Sequence, residues 1–132
     1  MRYLIDTHVL LWAVIDDDKL SVKIKKVMED GRNDIFVSSI SFWEIALKFS
    51  LGKLKIGNFS PDELPSLIEK MGFKLISLAP ADSSTYHQFV FTGHKDPFDR
   101  MLMWQAIQQE MTFISKDRNV SHYRGTGLQV IW

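Results

Sequence analysis

Asp6, Glu44, Asp99 and Asp117 each stand where a predicted strand has just ended or a predicted helix has just begun. In an open parallel α/β sheet the helices run antiparallel to the strands. Strand ends and helix starts therefore share one edge of the sheet, where such folds keep their ligand crevice. Side chains from four distant stretches then converge as an acidic cluster. Partly buried carboxylates a few ångströms apart repel by several kcal/mol unless they are protonated or neutralised. Hard oxygen donors, with no cysteine and no His-x-x-x-His pair, favour Mg²⁺ or Mn²⁺ over Zn²⁺. Such an ion, still carrying water, polarises a phosphate, generates hydroxide and steadies the leaving oxygen. Phosphoryl chemistry is what such a site is suited to.

Each acid taken singly also has a structural explanation. Glu44 sits three after Ser41, and Ser-x-x-Glu is a capping box. Asp99, three after Asp96, meets a helix dipole favourably, Asp6 can cap the helix after it, and Asp117 can be a turn residue. Their shared edge is what argues for more. Lys95, Arg100, Lys116 and Arg118 flank the acids and can either neutralise them or hold the phosphates of a polyanion. Lys48, Lys53 and Lys55 read as a solvated surface. His8 and His94 lie two residues from Asp6 and Asp96 and read as polar loop residues, though either can reach a metal or a phosphate. His87 and His122 carry no signal. Trp12, Trp43 and Trp104 fall in apolar helical stretches and read as core packing, not base stacking.

The elements that position these residues alternate along the chain. Tyr3-Leu4-Ile5, Ile35-Phe36-Val37, residues 74–78, Thr112-Phe113-Ile114 and residues 128–131 read as strands. Helices are expected over residues 9–15, 21–30 and 82–90, from Asp96-Pro97 to about Glu110, and after Ser60-Pro61 with Leu64, Leu67, Ile68 and Met71 as its buried stripe. A further helix carries Phe42, Ile45, Ala46 and Phe49 on one face and stops at Gly52. Strands alternating with helices imply a three-layer α/β/α sandwich around a central, mainly parallel sheet of about five strands. A doubly wound order makes the strands before Asp6 and Asp117 neighbours.

Bulk properties narrow the class. One domain over residues 1–132 is long enough to bury a sizeable core. Sixteen basic and sixteen acidic residues cancel, so no global field marks a nucleic-acid partner. The lack of cysteine removes disulfides and thiolate chemistry and fits a reducing cytoplasm. The longest apolar run, residues 9–15, is too short to span a bilayer, so a soluble, unprocessed chain is expected.

Four segments also resemble the PIN domain: residues 4–12, residues 38–45 with Trp43-Glu44-Ile45, residues 94–100 with Asp96-Pro97-Phe98-Asp99-Arg100, and residues 114–117. More narrowly they are similar to VapC-type toxins of bacterial toxin–antitoxin modules, in the right order and over essentially the whole chain. The resemblance implies a Mg²⁺- or Mn²⁺-dependent endoribonuclease acting on structured RNA such as tRNA or rRNA. It implies inhibition by a small antitoxin and a homodimeric toxin or a toxin–antitoxin hetero-oligomer. On matching positions Asp6, Glu44 and Asp99 form the principal acidic site and Asp117 is the fourth acid. Thr7 and Ser115 orient ligands or water from behind, with Ser115 standing where relatives commonly have Thr. Asp96 matches a recurrent acid and reads mainly as the cap that places Asp99. His94, Lys95, Arg100, Lys116 and Arg118 are the candidate substrate contacts.

Two rivals belong to other classes. A receiver-like signalling module also binds Mg²⁺ at a sheet edge, but the third strand here ends Ser77-Leu78-Ala79 without the acid expected there. A catalytically silent PIN-like protein-binding domain keeps the acids for shape and ion pairs, and absence of Mn²⁺ binding is its signature.

Overall fold

The computed structural model describes residues 1–90, 96–117 and 126–132. Its first strand, β1 (Arg2–Ile5), buries its last three residues, since both faces of the sheet are covered. Asp6 ends the strand and caps α1 (Thr7–Ile15), with its carboxylate accepting from the Val9 N–H at 2.8 Å. Ser21 caps α2 (Val22–Glu29) in the same way. Next come β2 (Asp34–Ser38), α3 (Ser39–Ser50), α4 (Leu64–Lys70) and β3 (Lys74–Ile76). The chain continues through α5 (Pro80–Ser84), α6 (Pro97–Gln108), β4 (Thr112–Ile114) and β5 (Val130–Ile131).

The strands pair in the order β3-β2-β1-β4-β5, and every pairing is parallel. Successive residues of a strand face opposite sides, so the sheet feeds two cores. Tyr3, Ile5, Ile35, Val37 and Ile114 join Val9, Leu10, Ile24 and Ile68 on one face. Leu4 and Phe113 join Ile40, Leu102, Met103 and Ala106 on the other. The three-layer expectation from sequence therefore holds. The chain winds from β1 through β2 to β3, then returns to place β4 on the other side of β1. That reversal puts the carboxyl ends of β1 and β4 side by side, which is where an open α/β sheet forms its crevice.

Several local expectations needed correction. Residues 82–90 do not form one helix: α5 ends at Ser84 and a short 3-10 turn spans Tyr86–Gln88. The Asp82 carbonyl, which a continuing helix would offer to the Tyr86 N–H, instead accepts from the Trp104 indole at 3.0 Å. The Thr85 hydroxyl donates to the Ala81 carbonyl at 2.7 Å, a local bond that competes with the helical ladder. The helix expected after Ser60 starts as a 3-10 turn, Pro61–Glu63, so Pro65 falls in the first turn of α4, where its missing N–H costs little.

In α3 the buried face is Ile40, Ser41, Glu44 and Ile45, while Phe49 is 42% exposed and Ala46 is exposed. The helix starts at Ser39, capped by Ser38 through the Ile40 N–H, so Ser41 is not the cap and the capping-box explanation of Glu44 fails. Rotated by about one position, the helix turns two polar residues inward. Trp104 is buried as expected, but Trp12 is only half-buried and Trp43 is 64% exposed, its ring 5.0 Å from that of Phe98. No helix among the described residues is long and apolar enough to cross a membrane.

Candidate active site

The crevice predicted from the topology is present. A cavity of about 310 Å³ is lined by Asp6, Asp99, Asp117 and Ser115, with His8, Trp12 and Lys116 at its walls. Asp6 follows β1, Ser115 and Asp117 follow β4, and Asp99 lies in the first turn of α6. Asp96 caps that helix, accepting from the Phe98 and Asp99 amides at 2.9 and 3.2 Å, and so fixes the turn that carries Asp99.

Asp6 is the anchor of the cluster. It is 5% exposed, and the Ser115 hydroxyl donates to its Oδ2 at 2.5 Å while the Val9 amide holds Oδ1. Burial is the largest influence on its carboxyl and raises its pKa from 3.8 to about 6. The bonds from Ser115 and Val9 and the charge of His8 oppose that rise, and the negative charge of Asp99 adds to it. Ser115 also accepts from the Asp117 amide at 3.1 Å, so one hydroxyl ties the β1 and β4 acids together.

Glu44 is not among the residues lining the cavity. It is 2% exposed, and the Lys48 ammonium one helical turn later bonds its Oε2. Burial works against the Lys48 charge, but Glu44, followed by Asp96 and Asp99, outweighs it and holds the ammonium pKa above the ordinary lysine value. Lys48 thus pairs with Glu44 and also lies in the field of Asp96 and Asp99. The other Glu44 oxygen, Oε1, is buried and has no hydrogen-bond partner among the described residues. Buried carboxylate oxygens are rarely left so. Beside them, the Thr7 hydroxyl donates to that of Ser41 at 3.0 Å and clamps α1 to α3.

These donors suit a hard divalent ion of one particular kind. Among the described residues no three His, Cys, Asp or Glu side chains are gathered tightly enough to enclose a metal. Mg²⁺ does not need enclosure, since it keeps several waters and takes one or two carboxylates. A raised Asp6 near Asp99 and an orphaned Glu44 oxygen are what such an ion would relieve. The residues fit a hydrated Mg²⁺ or Mn²⁺ and not a fully chelated metal.

Other expected contacts distribute differently. Arg100 donates from Nε to the Tyr86 hydroxyl at 2.7 Å and from an amino group to the Phe89 carbonyl at 3.0 Å. Its guanidinium lies over both rings, so it braces the segment after α5. Lys116 is exposed at the cavity rim. His94, Lys95 and Arg118 lie outside the described residues, as does His122. Lys48 was misread as solvated surface, although its i, i+4 spacing from Glu44 is an ion-pair signal visible in sequence. Ser41 is not the cap that the structural explanation of Glu44 requires, and nothing in the sequence marks it as a partner of Thr7.

The frame agrees with known proteins. The PIN domain family model matches residues 3–125. Ribonuclease VapC22 of Mycobacterium tuberculosis is 22% identical over 129 residues, covering 98% of this chain and 97% of that protein. The structure of VapBC2 from Rickettsia felis bound to a promoter DNA fragment has a similar chain, with a TM-score of 0.67 at 15% identity, covering 99% of this chain and 98% of that one. DNA-bound VapBC from Salmonella typhimurium gives a TM-score of 0.68 at 14% identity, covering 99% and 97%. With a family match over nearly its whole length and a parallel sheet that gathers its acids at the switch point, this chain belongs to the PIN domain family.

Proposed function

We propose that this chain is a Mg²⁺- or Mn²⁺-dependent endoribonuclease that hydrolyses phosphodiester bonds of structured RNA such as tRNA or rRNA. The observation that carries it is one cavity at the sheet's switch point lined by Asp6, Asp99, Asp117 and Ser115. The mycobacterial relative is a ribonuclease, which favours RNA as substrate. Asp6 and Asp99 would hold the ion, and Glu44 and Asp117 would complete its shell or orient the attacking water. When bound, the ion supplies Lewis-acid polarisation of the phosphate and a water of lowered pKa.

The chain's own residues do the positioning. Ser115 keeps one Asp6 oxygen directed and Val9 keeps the other, so the carboxylate has little freedom to rotate. Asp96 fixes the turn bearing Asp99, and Thr7 with Ser41 fixes the helix bearing Glu44. Attack on phosphorus by water, not by the ribose 2′-oxygen, with the P–O3′ bond breaking and the 3′-oxygen leaving and taking up a proton, would give a 5′-phosphate and a 3′-hydroxyl.

The biological role that fits is the toxin of a cytoplasmic toxin–antitoxin module. Two of the similar structures are VapBC complexes. An apolar surface beside the acids suits a small antitoxin: Trp43 and Leu47 follow one another along one exposed face of α3, and exposed Leu51 stands at its C-terminal end. A groove of about 210 Å³ next to Trp43 is walled by Leu78, Tyr86, Phe98 and Met101. A homodimer or a toxin–antitoxin hetero-oligomer is the assembly expected.

Purified, antitoxin-free protein incubated with total RNA tests the activity. Cleavage in Mg²⁺, abolished by EDTA and leaving 5′-phosphate ends, is the expected result. Intact RNA in Mn²⁺ and Mg²⁺, with no Mn²⁺ bound, would favour a catalytically silent binding domain.

A further inference from the structure

A second cavity, of about 320 Å³, adjoins the acidic one and shares Ser115, Lys116 and Asp117 with it. Lys23 and Trp132 also line it, beside Val130 and Ile131 of β5. The Lys116 ammonium stands at the shared rim, 5.6 Å from the centre of the Trp12 ring and 5.9 Å from that of Trp132. The two indoles meet edge to face at 5.7 Å. The His8 ring, 6.2 Å from Trp12, continues the row into the acidic cavity. Both indoles are half-buried, so each keeps some surface in solvent, and both lysines are exposed.

A lysine ammonium is normally a mobile point charge on a flexible stem. Contact with two ring faces restrains it and fixes where the positive charge lies. That position matters because a cavity lined by carboxylates repels a polyanion. A cation held at its mouth offsets that repulsion and draws phosphate inward. Each nucleotide offers one phosphate and one flat base. Lysines interleaved with aromatic rings match that pairing and are the usual means of holding single strands.

We propose that Trp12, Trp132, Lys116 and Lys23 form a shelf that binds the nucleotide next to the scissile phosphate, with the lysines on phosphates and the indoles on the base. The shelf rests on the RNA substrate proposed above. It binds RNA and takes no part in bond breaking, so Trp12 and Trp132 are positioning residues.

The test measures anisotropy of a labelled short single-stranded RNA with Asp99→Asn protein in EDTA, which separates binding from cleavage. Lys116→Gln and Lys23→Gln should each raise Kd several-fold and flatten the slope of log Kd against log salt by about 0.7. Trp132→Leu should raise Kd about tenfold, and Trp132→Phe, which keeps a ring, should recover most of that loss. Lys23 and Lys116 are exposed, so their variants carry the test if Trp132→Leu does not fold. Unchanged Kd and slope in both lysine variants overturn the shelf, as does a folded Trp132→Leu protein that binds like its parent. If the wild-type chain meanwhile cleaves RNA in Mg²⁺, the shelf alone is wrong. If it does not cleave, the function and the shelf fall together.

Discussion

Asp6→Asn should stabilise the metal-free protein, and the gain should depend on pH. The Asp6 carboxyl is buried at the end of β1, and its pKa stands at about 6 against 3.8 for the free group. The folded state therefore binds this proton more tightly than the unfolded chain does. Stability from this group is complete below pH 3.8 and is lost as pH rises through about 6. A rise from 3.8 to about 6 corresponds to about 3 kcal/mol at neutral pH. Asparagine cannot ionise, its Oδ1 can still accept from Val9, and its amide can donate to Ser115. The variant should escape the loss and melt roughly 10 °C above wild type at pH 8. Near pH 4 the two should converge. Calorimetry in EDTA across that range reads the difference directly. A variant less stable than wild type at pH 8, or a difference that ignores pH, would refute the physical picture of this carboxylate. Saturating Mn²⁺ should raise the melting point of wild type and leave Asp6→Asn nearly unmoved.

Lys48→Met should leave Glu44 buried without its counter-ion. Removing one partner of a buried pair costs several kcal/mol, but Lys48 is 39% exposed, so about 1–2 kcal/mol is expected in urea unfolding. Unchanged stability in EDTA would show that Glu44 needs no cation. Asp96→Ala removes the cap of α6 and should cost about 1 kcal/mol. It should also slow RNA cleavage, because the turn carrying Asp99 loosens, while Asp96→Asn should restore most of both in denaturation and initial-rate measurements. Trp104→Phe loses the indole bonds to the Asp82 carbonyl and the Thr85 hydroxyl. About 1–2 kcal/mol should be lost, with faster amide exchange confined to the α5 segment.

What could be read from the sequence divides along physical lines. Strands buried on both faces are continuous apolar runs, so Tyr3-Leu4-Ile5 and Thr112-Phe113-Ile114 were legible, and their parallel pairing follows from the helices between them. Asp6, Asp99 and Asp117 were legible because topology alone fixes which edge strand ends occupy. The face of α3 was not. Apolar periodicity marks Ala46 and Phe49 as inward, but a helix built around Ser41 and Glu44 buries polar atoms that periodicity counts as solvent-facing. The end of α5 was hidden for a similar reason: a tryptophan distant in sequence claims the Asp82 carbonyl. Trp43, like Trp104, falls in an apolar helical stretch, yet lies exposed against Phe98. Local pattern fixes the type of an element more firmly than its rotation or its last turn.

The most direct measurement is Mn²⁺ binding by calorimetry or electron paramagnetic resonance, on wild type and on Asp6→Asn and Asp99→Asn. One hydrated ion held by few carboxylates predicts saturable binding in wild type that releases protons near pH 6 and is lost in both variants. Wild-type protein that takes up no Mn²⁺ at millimolar concentration, or variants that bind as wild type does, would contradict it.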